Sequence, residues 1–235
     1  MSIETRFIEP LDVLFLRGNK LFGDPGSYGE SLVPPWPSVA AGALRSRLLA
    51  DERVDLAAFA RGAIDHPTLG TPAKPGSFAV TAFHLARRFA DGRIELLIAP
   101  PADLVIGESE DKVSSVRRLH PTVLASGLLA SSPLPLLPVL AEAQRGKPAG
   151  GYWLTQAGWE KYLKGETPTA DDLLKASQLW AIDHRVGVGL DAHTRRAADG
   201  KLFSVQAVSM VQRQHAAAGF DVGFVASVSG AKLPK

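Results

Sequence analysis

Arg17 and Lys20, followed by Phe22, Gly23, Gly26 and Gly29, put two cations in a glycine-bearing loop. A proline-stiffened turn, Pro34-Pro35-Trp36-Pro37, comes next, and Ser38 is the expected N-cap of a helix. The first turns of that helix are nearly bare (Val39, Ala40, Ala41, Gly42, Ala43), with Arg45 just beyond. Backbone N–H groups at a helix start lack intrahelical partners and the helix dipole favours negative charge there. Loop and helix start together can therefore receive a phosphate chain. The spacing matches neither the P-loop nor the dinucleotide fingerprint, and the small residues equally suit a helix lying close on a sheet.

Arg185 to Arg196, RVGVGLDAHTRR, is the second chemical segment. On a strand, Val186, Val188 and Leu190 share one face and Gly187 and Gly189 the other, a flat strip another backbone can approach. His193, Thr194, Arg195 and Arg196 stand at its end. Guanidinium planes pair phosphates bidentately or stack on bases, which suits an unpaired RNA strand. In the competing reading the glycines relieve crowding and the arginines are solvated. A further basic cluster comprises Lys112, Arg117, Arg118 and His120. Of the six histidines, His120, His184 and His193 neighbour arginines, where a 2′-hydroxyl base would be useful to a ribonuclease. A histidine beside arginine more often contacts phosphate. No metal-ligand spacing is present, and neither metal nor cofactor is expected.

The elements that must position these residues come from a chain of 235 residues, 46% apolar and 21% charged, with the profile of a soluble globular protein. The absence of cysteine excludes disulfides, thiolate nucleophiles and cysteine-based zinc sites and fits a reducing cytoplasm. Prolines break the apolar run from Leu119 to Ala143, so it cannot span a bilayer as one helix, and the N-terminus reads as no signal peptide. A cytoplasmic protein without membrane contact is expected. Net charge is +2, but the basic excess falls in the second half, in local clusters suited to a polyanion.

Thr5–Ile8 and Val13–Leu16 read as strands, with Pro10 marking a bend or bulge. Ala41, Leu44 and Leu48 give the helix after Ser38 an apolar stripe ending near Asp51. Phe78–Ile98 is a hairpin turning at Asp91-Gly92. Residues 100–151 read as a long irregular insertion. Thr155 caps a helix over Gln156–Lys164, and Thr169 with Asp172 approximates a capping box for a helix over Asp171–Trp180. Strands over Arg185–Leu190, Leu202–Val211 and Asp221–Val228 complete an α+β pattern with antiparallel sheets.

Glu9-Pro10-Leu11-Asp12, Arg17, Phe22-Gly23, Pro34-Pro35, Pro37-Ser38 and Ala41-Gly42-Ala43-Leu44-Arg45 resemble, in order, the opening motifs of the RAMP superfamily of CRISPR-associated proteins. More narrowly they resemble the family of Cmr subunit three of type III-B effector complexes. Arg185, Gly187, Asp191, Thr194-Arg195, Gly200, Leu202 and Phe203 match that family's later motif. The resemblance implies two ferredoxin-like, RNA-recognition-motif-like units, here 1–150 with the insertion and 151–235. It also implies a non-catalytic scaffold that grips the repeat-derived handle of the crRNA five-prime end. Its partners would be the large polymerase-like Cmr subunit and the backbone RAMP subunits. Relatives carry a C-terminal glycine-rich loop that Ser229–Lys235 lacks, so the second unit is expected to be incomplete, completed by another chain, or cut short in a truncated form. The alternatives are a crRNA-processing endoribonuclease using His120 or His193, and a protein-only interaction module.

Overall fold

Strand β13 (Phe220–Ser229) sits between β1 (Ile3–Ile8) and β3 (Ala79–Phe89) and is antiparallel to both. The first and last strands of the chain thereby share one sheet, ordered β1-β13-β3-β4, with β4 (Ile94–Leu97) at its far edge. The computed structural model describes residues 3–18, 28–127, 129–140, 147–210 and 219–233. Within these the chain forms two compact units, residues 1–96 with 180–235, and 97–179. The units do not divide at residue 150. A terminal strand that inserts between two early ones makes its unit discontinuous.

In the first unit, β1 and β3 run parallel to each other, and helix α1 (Pro37–Asp51) lies between them in the chain. Ala40, Leu44, Leu48 and Leu49 of α1 are buried against Leu69, Phe78, Ala226, Val228 and Leu233. Each such leucine contributes about 1.5–3 kcal/mol by leaving water. The buried position is Ala40, with Ala41 half-exposed. Pro37 takes the first helical position and Trp36 the cap position without a side-chain bond, so Ser38 lies inside the helix and is not its cap. Short α2 (Leu56–Ala60) is capped by Asp55, which accepts from the Ala57 and Ala58 N–H groups.

The β3–β4 hairpin turns at Asp91-Gly92 as expected, with Gly92 at φ +84°. Val13–Leu16 forms no strand. Leu14 alone pairs with Val208, N–H to carbonyl in both directions at 2.8 Å. A second sheet orders β11 (Ala181–Leu190), β12 (Ala197–Ser209) and β2 (Tyr28–Gly29). β11 and β12 are antiparallel, whereas β2 joins β12 in parallel at Ser204 and Val205. The architecture is mixed, with few helices and mostly antiparallel sheets, as an α+β fold requires.

Residues 97–179 are far from irregular. Strands β5 (Leu104–Ser109) and β6 (Lys112–Arg118) form a hairpin, β7 (His120–Thr122) pairs with β8 (Leu137–Val139), and β9 (Tyr152–Leu154) with β10 (Leu173–Lys175). Leu104, Ile106, Tyr152, Leu154 and Leu173 form the unit's own core. Helix α3 (Gln156–Leu163) is capped by Thr155, whose hydroxyl accepts from Gly158 N–H at 3.2 Å. The Thr169–Asp172 capping box exists, yet it opens a single 3-10 turn, Ala170–Asp172. Leu173 then turns extended to pair with Leu154, so the expected helix over 171–180 is replaced by β10.

Asp172 is 5% exposed. Burial alone would raise its pKa. The Lys161 ammonium at 2.8 and 3.0 Å and the Thr169 N–H and hydroxyl outweigh that effect and hold the carboxyl below the usual range. The Tyr152 hydroxyl, and then Lys175, lower Glu108 likewise, and Lys175 lowers Asp111. Carboxyls depressed by folding contribute stability that is complete above their unfolded pKa, about 4, and vanishes as pH falls through the folded value. The thermal midpoint of the wild-type chain should therefore hold steady above about pH 5 and decline below about pH 4. Asp172→Asn should lower the neutral-pH midpoint and flatten that decline, as read by circular dichroism.

Candidate nucleic-acid interface

The turn between β11 and β12 presents His193, Arg195 and Arg196 in solvent. Neither arginine forms an ion pair among the described residues. Asp191 builds this turn. Its Oδ1 accepts from the N–H groups of His193 and Thr194 at 3.1 and 2.7 Å, and from the Thr194 hydroxyl at 2.9 Å. These bonds, the Thr194 N–H first, hold the Asp191 carboxyl below its usual range. Thr194 thus spends its hydroxyl on Asp191 within the turn.

The glycine strip is not open. A Cβ at Gly187 would come closer than 3.0 Å to the Phe203 ring, which faces it across the β11–β12 pair. At Gly189 it would meet Lys201 at 2.9 Å. The glycines make room for side chains of the partner strand, the role glycine takes beneath a cross-strand aromatic. The valine side is the open one: Val186 is 71% exposed, Leu190 63% and Leu202 58%.

Two sequence motifs converge here. Leu14 pairs with Val208, Arg17 bridges Ser31, and Ser31 donates its hydroxyl to the Gln206 carbonyl at 2.7 Å. Both ends of the first basic loop are thereby fastened to β12. The Arg185 guanidinium pairs with Asp183 at 2.8 Å and lies 5.8 Å from the centre of the Phe15 ring. Lys20, Phe22 and Gly23 lie outside the described residues. Arg45 is exposed on α1 with its guanidinium 5.4 Å from the centre of the Phe78 ring. Ser38 and Gly42 are exposed, and among the described residues nothing approaches within 4 Å of a Cβ placed on Gly42.

Lys112, Arg117, Arg118 and His120 belong to the other unit. Lys112 is exposed at the start of β6 and His120 is exposed in β7. Arg117 is exposed, its guanidinium 3.4 Å from the Val116 carbonyl. Arg118 is committed inward. It pairs with Asp103 at 3.1 Å, donates to the Tyr162 carbonyl and stacks 4.2 Å over the Tyr162 ring, while Tyr162 bonds Asp103 at 2.9 Å. The expected four-residue patch is reduced by its best-ordered member.

A sequence model of the CRISPR-associated protein family Cas_Cmr3 matches residues 6–232, nearly the whole chain. The chain belongs to the CRISPR-associated Cmr3 family. It is thereby a subunit of the multisubunit type III-B Cmr complex. No curated protein matches it. No helix among the described residues is long and apolar enough to cross a membrane.

In this Cmr3 chain the arginines are legible in the sequence, whereas the turn-closing Asp191 and the open apolar face of β11 are less so. Asp191 was visible only as a motif position, although an Asp-x-x-Thr spacing before a basic pair is the signal of a side-chain-closed turn. The exposed apolar face of β11 was visible as alternation, but nothing in one sequence says which face is covered. Arg118→Ala should lower stability by about 1–2 kcal/mol, since it leaves Asp103 without its cation, whereas Lys112→Ala should stay within about 0.5 kcal/mol of wild type. Gly42→Ala should raise it by about 0.5–1 kcal/mol, because helix-interior glycine is entropically costly and the site has room. Thermal or urea unfolding of the three variants reads all of these.

Proposed function

We propose that this Cmr3 chain is a non-catalytic scaffold that holds the repeat-derived handle of crRNA through its discontinuous unit, and docks the large polymerase-like subunit and the backbone RAMP subunits. The observation that supports this reading most is the β11–β12 turn, where Arg195 and Arg196 stand exposed without ion-pair partners among the described residues. Arginines held clear of carboxylates keep their donors for phosphates or bases. Arg17, exposed beside Ser31, adds a cation where the first loop meets β12 at Gln206, away from the turn. Lys112 and Arg117 remain candidates for a second contact. The split arrangement of β1, α1, β3 and β13 is compatible with a ferredoxin-like unit, and the chain's context is the cytoplasm.

His120 and His193 are both exposed, and among the described residues neither imidazole has a hydrogen-bonded carboxylate to orient it. A carboxylate in that position is one common way to set the tautomer and raise the basicity of a catalytic histidine. The protein-only alternative treats the basic clusters as docking surfaces for acidic partners.

Repeat-handle RNA should bind the assembled complex with salt-dependent affinity, and Arg195→Ala with Arg196→Ala should reduce the slope by about 0.7 per lost single-strand phosphate contact. Arg61→Ala with Lys74→Ala, both on the exposed surface of the same unit, is the control. Arg87 and Arg88 cannot serve as one, since they pair with Glu95 and with Glu9 and Asp221 and would unsettle the sheet. Equal effects of the two pairs, or a flat salt response, would remove the handle site from this turn. His120→Ala and His193→Ala should leave single-turnover cleavage unchanged at saturating RNA. A loss of about 10²-fold or more, the contribution of a positioned acid or base, would favour the endoribonuclease.

A further inference from the structure

We propose that Asp191 and Thr194 are positioning residues that lock the β11–β12 turn in the conformation presenting Arg195 and Arg196, without contacting RNA themselves. The inference rests on the reading of this hairpin as the RNA-holding element. One carboxylate oxygen of Asp191 accepts three bonds, from the His193 and Thr194 N–H groups and from the Thr194 hydroxyl. Two backbone bonds close the same loop, Arg195 N–H to the Asp191 carbonyl at 2.8 Å and Asp191 N–H to the Arg196 carbonyl at 2.9 Å. Between them they fix Arg195 at φ +56°, in the left-handed region that side chains other than glycine, asparagine and aspartate rarely adopt.

That backbone state is unfavourable for arginine unless its surroundings impose it. A glycine would suit the position better but would remove the guanidinium. The turn therefore keeps an arginine where the backbone prefers glycine, and the aspartate and threonine supply the constraint. An exposed loop ordered in advance loses less conformational freedom when a ligand docks. The register break at this end of the hairpin, where Val188 pairs with Leu202 but Leu190 with Ala197, places the turn beyond the regular ladder. Side-chain bonds must then hold what strand pairing does not. The Asp191 carboxyl, kept below its usual range by the Thr194 N–H and hydroxyl, stays ionised and accepting at neutral pH.

The test uses the full chain in its assembled complex, with amide hydrogen exchange across 193–196 as one readout and affinity for a repeat-handle oligonucleotide as the other. Asp191→Ala and Thr194→Val should each speed exchange about tenfold or more and weaken the oligonucleotide about fivefold to tenfold, with the salt slope preserved because the phosphate contacts survive. Asp191→Asn keeps the accepting oxygen and Thr194→Ser keeps the hydroxyl, so both should restore exchange and affinity. Arg195→Gly should leave exchange slow while losing affinity. The proposal is overturned if Asp191→Ala leaves exchange unchanged, or if Asp191→Asn is as damaging as Asp191→Ala, which would make the charge itself the contact. A wild-type complex that ignores the oligonucleotide, with exchange still responding to Asp191→Ala, would sink the RNA reading and the presenting role while the turn lock stands.

Discussion

The pairing of β13 with both β1 and β3 is the constraint on which the rest of the molecule depends. Ile3 meets Ser229 and Ile8 meets Phe224 on one side, while Phe220 meets Phe89 on the other. Ala226 and Val228 of the inserted strand form part of the floor on which α1 lies. The chain just after it is held by β1, where Glu4 accepts from the Leu233 N–H and Arg6 donates to the Leu233 carbonyl, both at 2.8 Å. Such a sheet is built of contacts distant in sequence, which form late and slowly in folding. The segment 97–179 has a core of its own and does not need that closure to bury its apolar residues.

A consequence for recognition is that cations divide into those the fold uses and those it leaves available. Arg87 lies between the rings of Phe89 and Phe220 at 4.8 and 5.2 Å, and Arg88 stacks on Phe7 while pairing with Glu9 and Asp221. Arg118 is similarly engaged by Asp103 and Tyr162. Lys175 bridges Glu108 and Asp111, which raises its own pKa. A count of basic residues along the sequence therefore overstates the surface open to a polyanion. Arg195 and Arg196 stand apart, exposed and without an ion pair among the described residues, while Oδ1 of the neighbouring Asp191 is taken up by the turn itself.

Where the sequence was legible, a local signal and the tertiary contact agreed. Asp91-Gly92 announced a turn, and Gly92 takes the positive φ that such a turn needs. Thr155 announced a helix start and caps one. The β5–β6 hairpin was hidden because its turn residues, Glu110 and Asp111, take φ +51° and +61° without glycine or asparagine to mark them. The Thr169 box was legible and the helix it implied was not built, because pairing of Leu173 with Leu154 overrode local propensity. Gly187 and Gly189 were legible as a strip, but its occupant, Phe203, depends on a strand register that one sequence does not reveal. For the interface, residue types were readable and availability was not, since availability depends on partners brought from elsewhere in the chain.

Crosslinking of crRNA to protein within the assembled Cmr complex, with the modified peptides mapped by mass spectrometry, addresses the central claim directly. Handle nucleotides should crosslink within 185–203 and beside Arg17, on the discontinuous unit. Handle crosslinks confined to residues 97–179 would contradict the claim.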